Sequence, residues 1–213
     1  MKDTFHNLSE EKRERIIRAA LGEFAASGYE KATLDGVVQA AGISKGGLYE
    51  YISSKEDLFR YLLEYSYDAM YDFIISDDEG QRMPADPVER TRHIALRVVD
   101  YYLANPEIIT FLVKTSRISD PLHRKWVEAA FGDYFLRLFE SCDYSKIRFD
   151  PARIRSLLSW LLAKTRNDFT DALAGSNSPE ICRETYLGEW EFFFSVLTDG
   201  IYRGASSVDN KEE

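Results

Sequence analysis

The run Ser44-Lys45-Gly46-Gly47-Leu48-Tyr49-Glu50-Tyr51 holds residue types suited to meeting a polyanion. Two adjacent glycines in the first turn of a helix cost about 1 kcal/mol each relative to alanine. They also leave a bare N-terminus, whose free N–H groups can approach a phosphate or a base edge. Lys45 adds a positive charge there. Tyr49 and Tyr51 offer hydroxyl donors and flat rings for phosphate, sugar and thymine-methyl contacts. The same residues admit a plainer reading, with Gly46-Gly47 a loop and both tyrosines ordinary half-buried rings. Taken alone, this run leaves the two open.

No catalytic set competes for attention. His6, His93 and His123 are isolated, with no HExxH and no His pair at i, i+4. The glycines lack the GxxxxGK[ST] spacing of a phosphate loop, and there is no GxSxG. Cys142 and Cys182 form no CxxC pair and read as small buried hydrophobes. No metal, cofactor or enzymatic activity is expected. The 213 residues carry 27 basic and 36 acidic side chains, a net charge of −9, which argues against coating nucleic acid by charge alone. Residues 1–60 hold 9 basic and 10 acidic groups against 18 and 26 in the rest, so a polyanion should be met by the head. An aromatic content of 14% excludes a disordered chain. No stretch approaches the roughly 18–20 apolar residues of a membrane span. The opening MKDTFHNLSEEKRERII lacks the apolar core of a secretory signal. A cytoplasmic protein with no membrane partner is the expectation.

Helices must position the run. Ser9 caps a helix over 10–27 whose Ile16, Ile17, Ala20, Leu21 and Phe24 share one face, and Gly28 ends it. Thr33 caps 34–41, Gly42 supplies a tight turn, and Ser44 caps 45–51. Two short helices joined this way make a helix-turn-helix, whose second helix is built to enter a major groove. A long helix over 55–76 follows Ser54. Five prolines directly follow a capping residue: Asp86-Pro87, Asn105-Pro106, Asp120-Pro121, Asp150-Pro151 and Ser178-Pro179. Proline at the first helical position gives up an N–H that has no partner there anyway, so each pair predicts a helix start. The helices expected are 87–104, 106–117, 121–141, 151–174 and 179–203, with Gly175 and Gly204 closing the last two. The charged stretch 76–86 reads as a loop and the tail after Gly204 as frayed.

The run Gly28-Tyr29, Thr33, Val37, Ala41-Gly42-Ile43-Ser44-Lys45-Gly46-Gly47-Leu48-Tyr49, Tyr51 and Ser54-Lys55-Glu56-Asp57-Leu58 resembles the DNA-binding domain of the TetR/AcrR family of transcriptional regulators. The resemblance covers about residues 10–60. Carried over by position, it implies DNA contacts at Thr33, Ser44, Lys45, Gly46, Gly47, Tyr49, Tyr51 and Lys55. Thr33, Tyr49, Tyr51 and Lys55 would grip phosphates, and Lys45, Gly46 and Gly47 would lie nearest the bases. Gly36, Val38 and Ile52 depart from the family's usual residues.

In the body, most aromatics are expected to be core. A cavity between helices is the alternative, and the resemblance favours it by implying an inducer pocket. The lining it would draw on is Tyr65, Tyr102, Phe111 and Trp126, with Phe131, Phe135, Trp160 and Asn167. Lys114, Arg166 and Asp168 also interrupt apolar runs. The last two helices carry apolar stripes, Leu158 among those of 151–174 and Tyr186, Trp190, Phe194, Leu197 and Ile201 on 179–203. These are expected either to meet a second subunit in a four-helix seam, as is usual in the family, or to pack within one chain.

The whole is therefore read as all-α: a three-helix DNA-binding head over 1–54 and a larger helical bundle for ligand binding and dimerisation over 55–213. The expected partners are double-stranded operator DNA, a second copy of the chain and a small-molecule effector of apolar or aromatic character. The expected role is a repressor released by that effector. The rival readings are a helix-turn-helix used as a protein-interaction module and a helical-bundle enzyme.

Overall fold

The computed structural model describes residues 1–76, 83–175 and 178–202. Among them lie ten helices and no strand: α1 (Asp3–His6), α2 (Glu10–Lys31), α3 (Leu34–Ala41), α4 (Lys45–Tyr51), α5 (Lys55–Ile75), α6 (Pro87–Ala104), α7 (Pro106–Ser116), α8 (Pro121–Phe139), α9 (Pro151–Gly175) and α10 (Pro179–Ile201). The all-α expectation holds, with the helix-turn-helix at α3–α4. Gly204 and the tail lie outside the described residues, as does most of the expected loop at 76–86.

The proline rule works through its capping oxygens. Asp86 accepts from the N–H groups of Val88 and Glu89, and Asp120 from those of Leu122 and His123. Asp150 accepts from Ala152 and Arg153, and Ser178 from Ile181. Asn105 differs, because its side chain makes no cap bond to α7 and donates instead to the Tyr101 carbonyl at 3.0 Å. Its side chain closes the helix before it, while its backbone carbonyl opens α7 by accepting the Ile109 N–H at 3.2 Å.

Gly28 also behaves differently from a simple stop. It adopts φ 71° and ψ 168° inside α2, so the chain kinks there and then completes one further turn to Lys31. Only glycine enters that φ region cheaply. Gly42 takes the left-handed conformation expected of the turn, at φ 63° and ψ 39°.

The helices fall into two compact units. One comprises residues 1–76 with 100–137, the other 77–99 with 138–213. In the first, Ile16, Ile17, Ala20, Leu21 and Phe24 of α2 are buried together with Val37, Leu48, Ile52, Leu58 and Phe59. The α2 helix packs on α3, α5 and α7, so these helices share one core. In the second unit α9 packs on α10. The buried Arg90 donates there to the carbonyls of Pro84 and Leu138 and to the Ser141 hydroxyl, which satisfies a guanidinium removed from water.

Candidate nucleic-acid interface

Two hydroxyls shape the helix-turn-helix. The Thr33 Oγ1 accepts from the Gly36 N–H at 3.0 Å and opens α3, while the Ser44 Oγ accepts from the Gly47 N–H at 3.0 Å and opens α4. Each occupies one of the four unpaired donors at its helix start and leaves the others facing outward. A Cβ at Gly46 would meet nothing within 4 Å, whereas one at Gly47 would come 3.1 Å from the Ser44 Oγ. Gly46 therefore leaves an open approach to the α4 N-terminus, and Gly47 also makes room for the cap.

Gly36 has a clear physical reason. A Cβ there would land 2.5 Å from the Glu23 carboxylate. That carboxylate accepts the Thr33 backbone N–H at 2.8 Å, fixing the start of α3 against α2. The departure from the family's usual residue makes way for this brace.

The expected contacts divide into two groups. Thr33, Ser44, Lys45, Gly46 and Tyr49 are exposed, and Gly47 is half-buried. The Lys45 ammonium sits 2.7 Å from the Asp35 carboxylate, a bond that raises the lysine's pKa. Both groups are largely in water, so the pair is weak and open to exchange for a phosphate. Tyr49 is 42% exposed, but Tyr51 is only 7% exposed, and its hydroxyl accepts from the Lys12 ammonium at 2.9 Å. The plainer reading, an ordinary buried ring, describes Tyr51. The Lys55 ammonium donates to the carbonyls of Tyr29, Ala32 and Glu30 at 2.7, 3.1 and 3.4 Å and lies 4.6 Å from the Tyr29 ring centroid. Its three protons are turned inward, onto the C-terminal end of α2. Sequence reasoning passed over the supporting groups Lys12, Glu23 and Asp35; of these, only Glu23 left a trace, through the unusual glycine at 36.

The Tyr29 ring packs against Phe59 at 4.8 Å and His123 at 3.9 Å between centroids, tying the kinked end of α2 to α5 and α8. Burial, with the Glu56 carboxylate second, pushes the Tyr29 phenol up to about 12. The Lys114 ammonium donates to the Ala26 carbonyl at 2.7 Å and pins α7 to the same helix.

Of the residues expected to line a ligand cavity, Trp126 and Tyr65 each border a cleft. Tyr102, Phe111 and Phe135 are buried, Phe131 and Asn167 half-buried, and Trp160 is exposed. Trp126 borders a groove of about 440 Å³ between α5 and α8, with Arg60, Tyr67, Asp68, Tyr134 and Arg137. The Arg60 guanidinium lies over the Trp126 ring, and Arg137 pairs with Asp68. Tyr65 borders a separate cleft of about 370 Å³, alongside Arg18 of α2 and Asn105.

The dimer expectation needs correction. Leu158, Tyr186, Trp190, Phe194, Leu197 and Ile201 are all buried within the second unit, so they fill its core and leave little area for a neighbour. Their stripe faces inward because α9 and α10 cover each other. On α9 and α10 the large apolar side chains left in water are Leu157, Trp160, Ile181, Phe192 and Val196, with Trp160 at 58% and Phe192 at 61% exposure.

Among the described residues, no helix is long and apolar enough to cross a membrane, and no cluster of His, Cys, Asp or Glu could hold a metal ion. The family described as bacterial regulatory proteins, tetR family, matches residues 16–62. The transcriptional repressor NicS of Pseudomonas putida is 28% identical over 113 residues, 53% of this chain and 51% of that protein. The transcriptional repressor SCO4008 of Streptomyces coelicolor is 35% identical over 98 residues, 46% of each. The chain thus spans about half the length of the curated relatives it matches. The solved structure of the fatty acid degradation regulator FadR from Bacillus halodurans superposes with a TM-score of 0.71 at 17% identity, over 92% of this chain and 100% of that one, so the fold is shared.

Proposed function

We propose that the chain, whose residues 16–62 match the tetR family of bacterial regulatory proteins, is a homodimeric, effector-responsive transcriptional regulator of the TetR/AcrR family that binds duplex operator DNA through α4. The observation that carries this reading is the open N-terminus of α4, where Ser44, Lys45, Gly46 and Tyr49 stand in water around unpaired backbone N–H groups. Such a terminus offers donors and a favourable dipole to phosphates and base edges. Residues 1–54 would act as the reading head and 55–213 as the effector and dimer domain. Thr33, Ser44, Lys45, Gly46, Gly47 and Tyr49 are the proposed contacts. Tyr51 and Lys55 support them from behind.

For assembly, the outward face of α9 and α10 is the proposed seam. Trp160 and Phe192 exposed on one unit form the kind of apolar patch that a partner covers. For the effector, the proposed site is the groove between α5 and α8. Its mixture of rings with paired charges suits an aromatic molecule bearing a polar group. An occupant there would press on α5, whose first residue caps α2 through Lys55, and so shift the head. Effector and operator would then weaken each other reciprocally. A gel shift with the DNA upstream of the protein's own gene, against a scrambled duplex of equal length, tests the reading. A shift specific to the upstream duplex supports it, and equal retardation of both or none refutes it.

A further inference from the structure

Seven residues are too few for a helix to stand alone in water, and α4 contains two glycines besides. Its start is held by Ser44. At its end the Leu48 carbonyl accepts from the Ile52 N–H at 3.1 Å, while the next three carbonyls have no partner within the helix. The first residues of the chain supply one donor to each. The Lys2 ammonium donates to the Tyr49 carbonyl at 2.7 Å, the Thr4 hydroxyl to that of Glu50, and the Lys2 backbone N–H to that of Tyr51 at 2.9 Å. A positive charge at this end also complements the helix dipole.

Phe5 anchors the arrangement. It is fully buried, with its ring 6.4 Å from that of Tyr51 and 5.2 Å, edge-on, from that of Tyr61 in α5. The Phe5 N–H donates to the Lys2 carbonyl and the Leu8 N–H to the Phe5 carbonyl, which coils the segment into one short turn before Ser9 opens α2.

We propose that residues 2–5 form a strap that sets the pose of α4, making Lys2, Thr4 and Phe5 positioning residues for DNA recognition. The inference rests on α4 being the reading helix. Base-edge contacts demand a fixed pose, whereas phosphate contacts elsewhere on the head tolerate some play. Loosening the strap by neutral substitutions at Thr4 or Phe5 therefore costs specificity while leaving every charged group of the head in place.

The test uses the full chain with Thr4→Val, which keeps the shape and removes the donor, Phe5→Ala, and Thr4→Ser as the conservative rescue. Amide exchange at residues 48–52 should accelerate roughly tenfold in Thr4→Val and further in Phe5→Ala, with α9 and α10 unchanged and Thr4→Ser at the wild-type rate. Preference for the upstream duplex over its scrambled counterpart should fall roughly tenfold, with the salt dependence of binding unchanged. Unchanged α4 exchange in both variants, or accelerated exchange with undiminished preference, would overturn the proposal. A wild-type chain that binds no duplex would overturn the DNA-binding reading and with it the recognition role, the exchange arm still deciding whether the strap holds α4.

Discussion

Replacing Lys55 by methionine keeps most of the apolar stem and removes the ammonium. In the structure that ammonium serves three carbonyls at the end of α2, two of them at normal hydrogen-bond distance and the third at 3.4 Å. Hydrogen bonds to charged groups contribute about 1.5–3 kcal/mol each where well formed. Lys55 is half-buried, so water screens the group and replaces part of the lost bonding, and a net cost of about 2 kcal/mol is reasonable. For a chain of this size that lowers the melting temperature by about 4–8 °C. DNA binding separates this role from a phosphate contact. Each phosphate contact contributes about 0.9 to the magnitude of the slope of log K against log salt, and with all three protons turned inward Lys55 contributes none. Thermal melts and fluorescence anisotropy at four or five salt concentrations read both quantities. A Lys55→Met chain of unchanged stability with a slope shallower by about one unit would refute the reasoning and restore the phosphate role.

Gly46→Glu should abolish operator binding in a gel shift at wild-type helicity, because the added side chain meets open space while its charge repels phosphate. Gly36→Ala should leave stability within about 1 kcal/mol of wild type in urea titrations, since its Cβ displaces the flexible Glu23 brace while alanine regains helix propensity. Phe192→Asp should give a folded monomer on sedimentation, whereas Phe194→Ala, in the core, should lower stability by about 3–5 kcal/mol. Because the folded Tyr29 phenol titrates near 12 and an unfolded one near 10, the unfolded chain loses that proton first, so unfolding free energy should fall from pH 10 to pH 12 and fall less in Tyr29→Phe.

Periodicity and caps made the long helices and the helix-turn-helix readable, because those signals are local. Where the outcome depended on a partner elsewhere in the chain, the sequence was silent. The stripe on α10 set Phe194 apart from Phe192, but did not show whether α9 or a second chain would cover it. Tyr51 and Lys55 matched the family pattern, yet their directions were set by Lys12 and by the carbonyls beyond the Gly28 kink. The strap was invisible because a single buried ring, Phe5, among polar residues has no period to detect. Asn105 could serve either neighbouring helix, and the bond to Tyr101 decided it.

The central claim is that the exposed start of α4 meets the groove of duplex DNA. Amide exchange of the full chain with and without a saturating amount of the upstream duplex tests it most directly. The account predicts new protection at residues 33–36 and 44–49, with the outward face of α9 and α10 unaffected. Protection confined to α8–α10, with α4 exchanging as in the free protein, would contradict it.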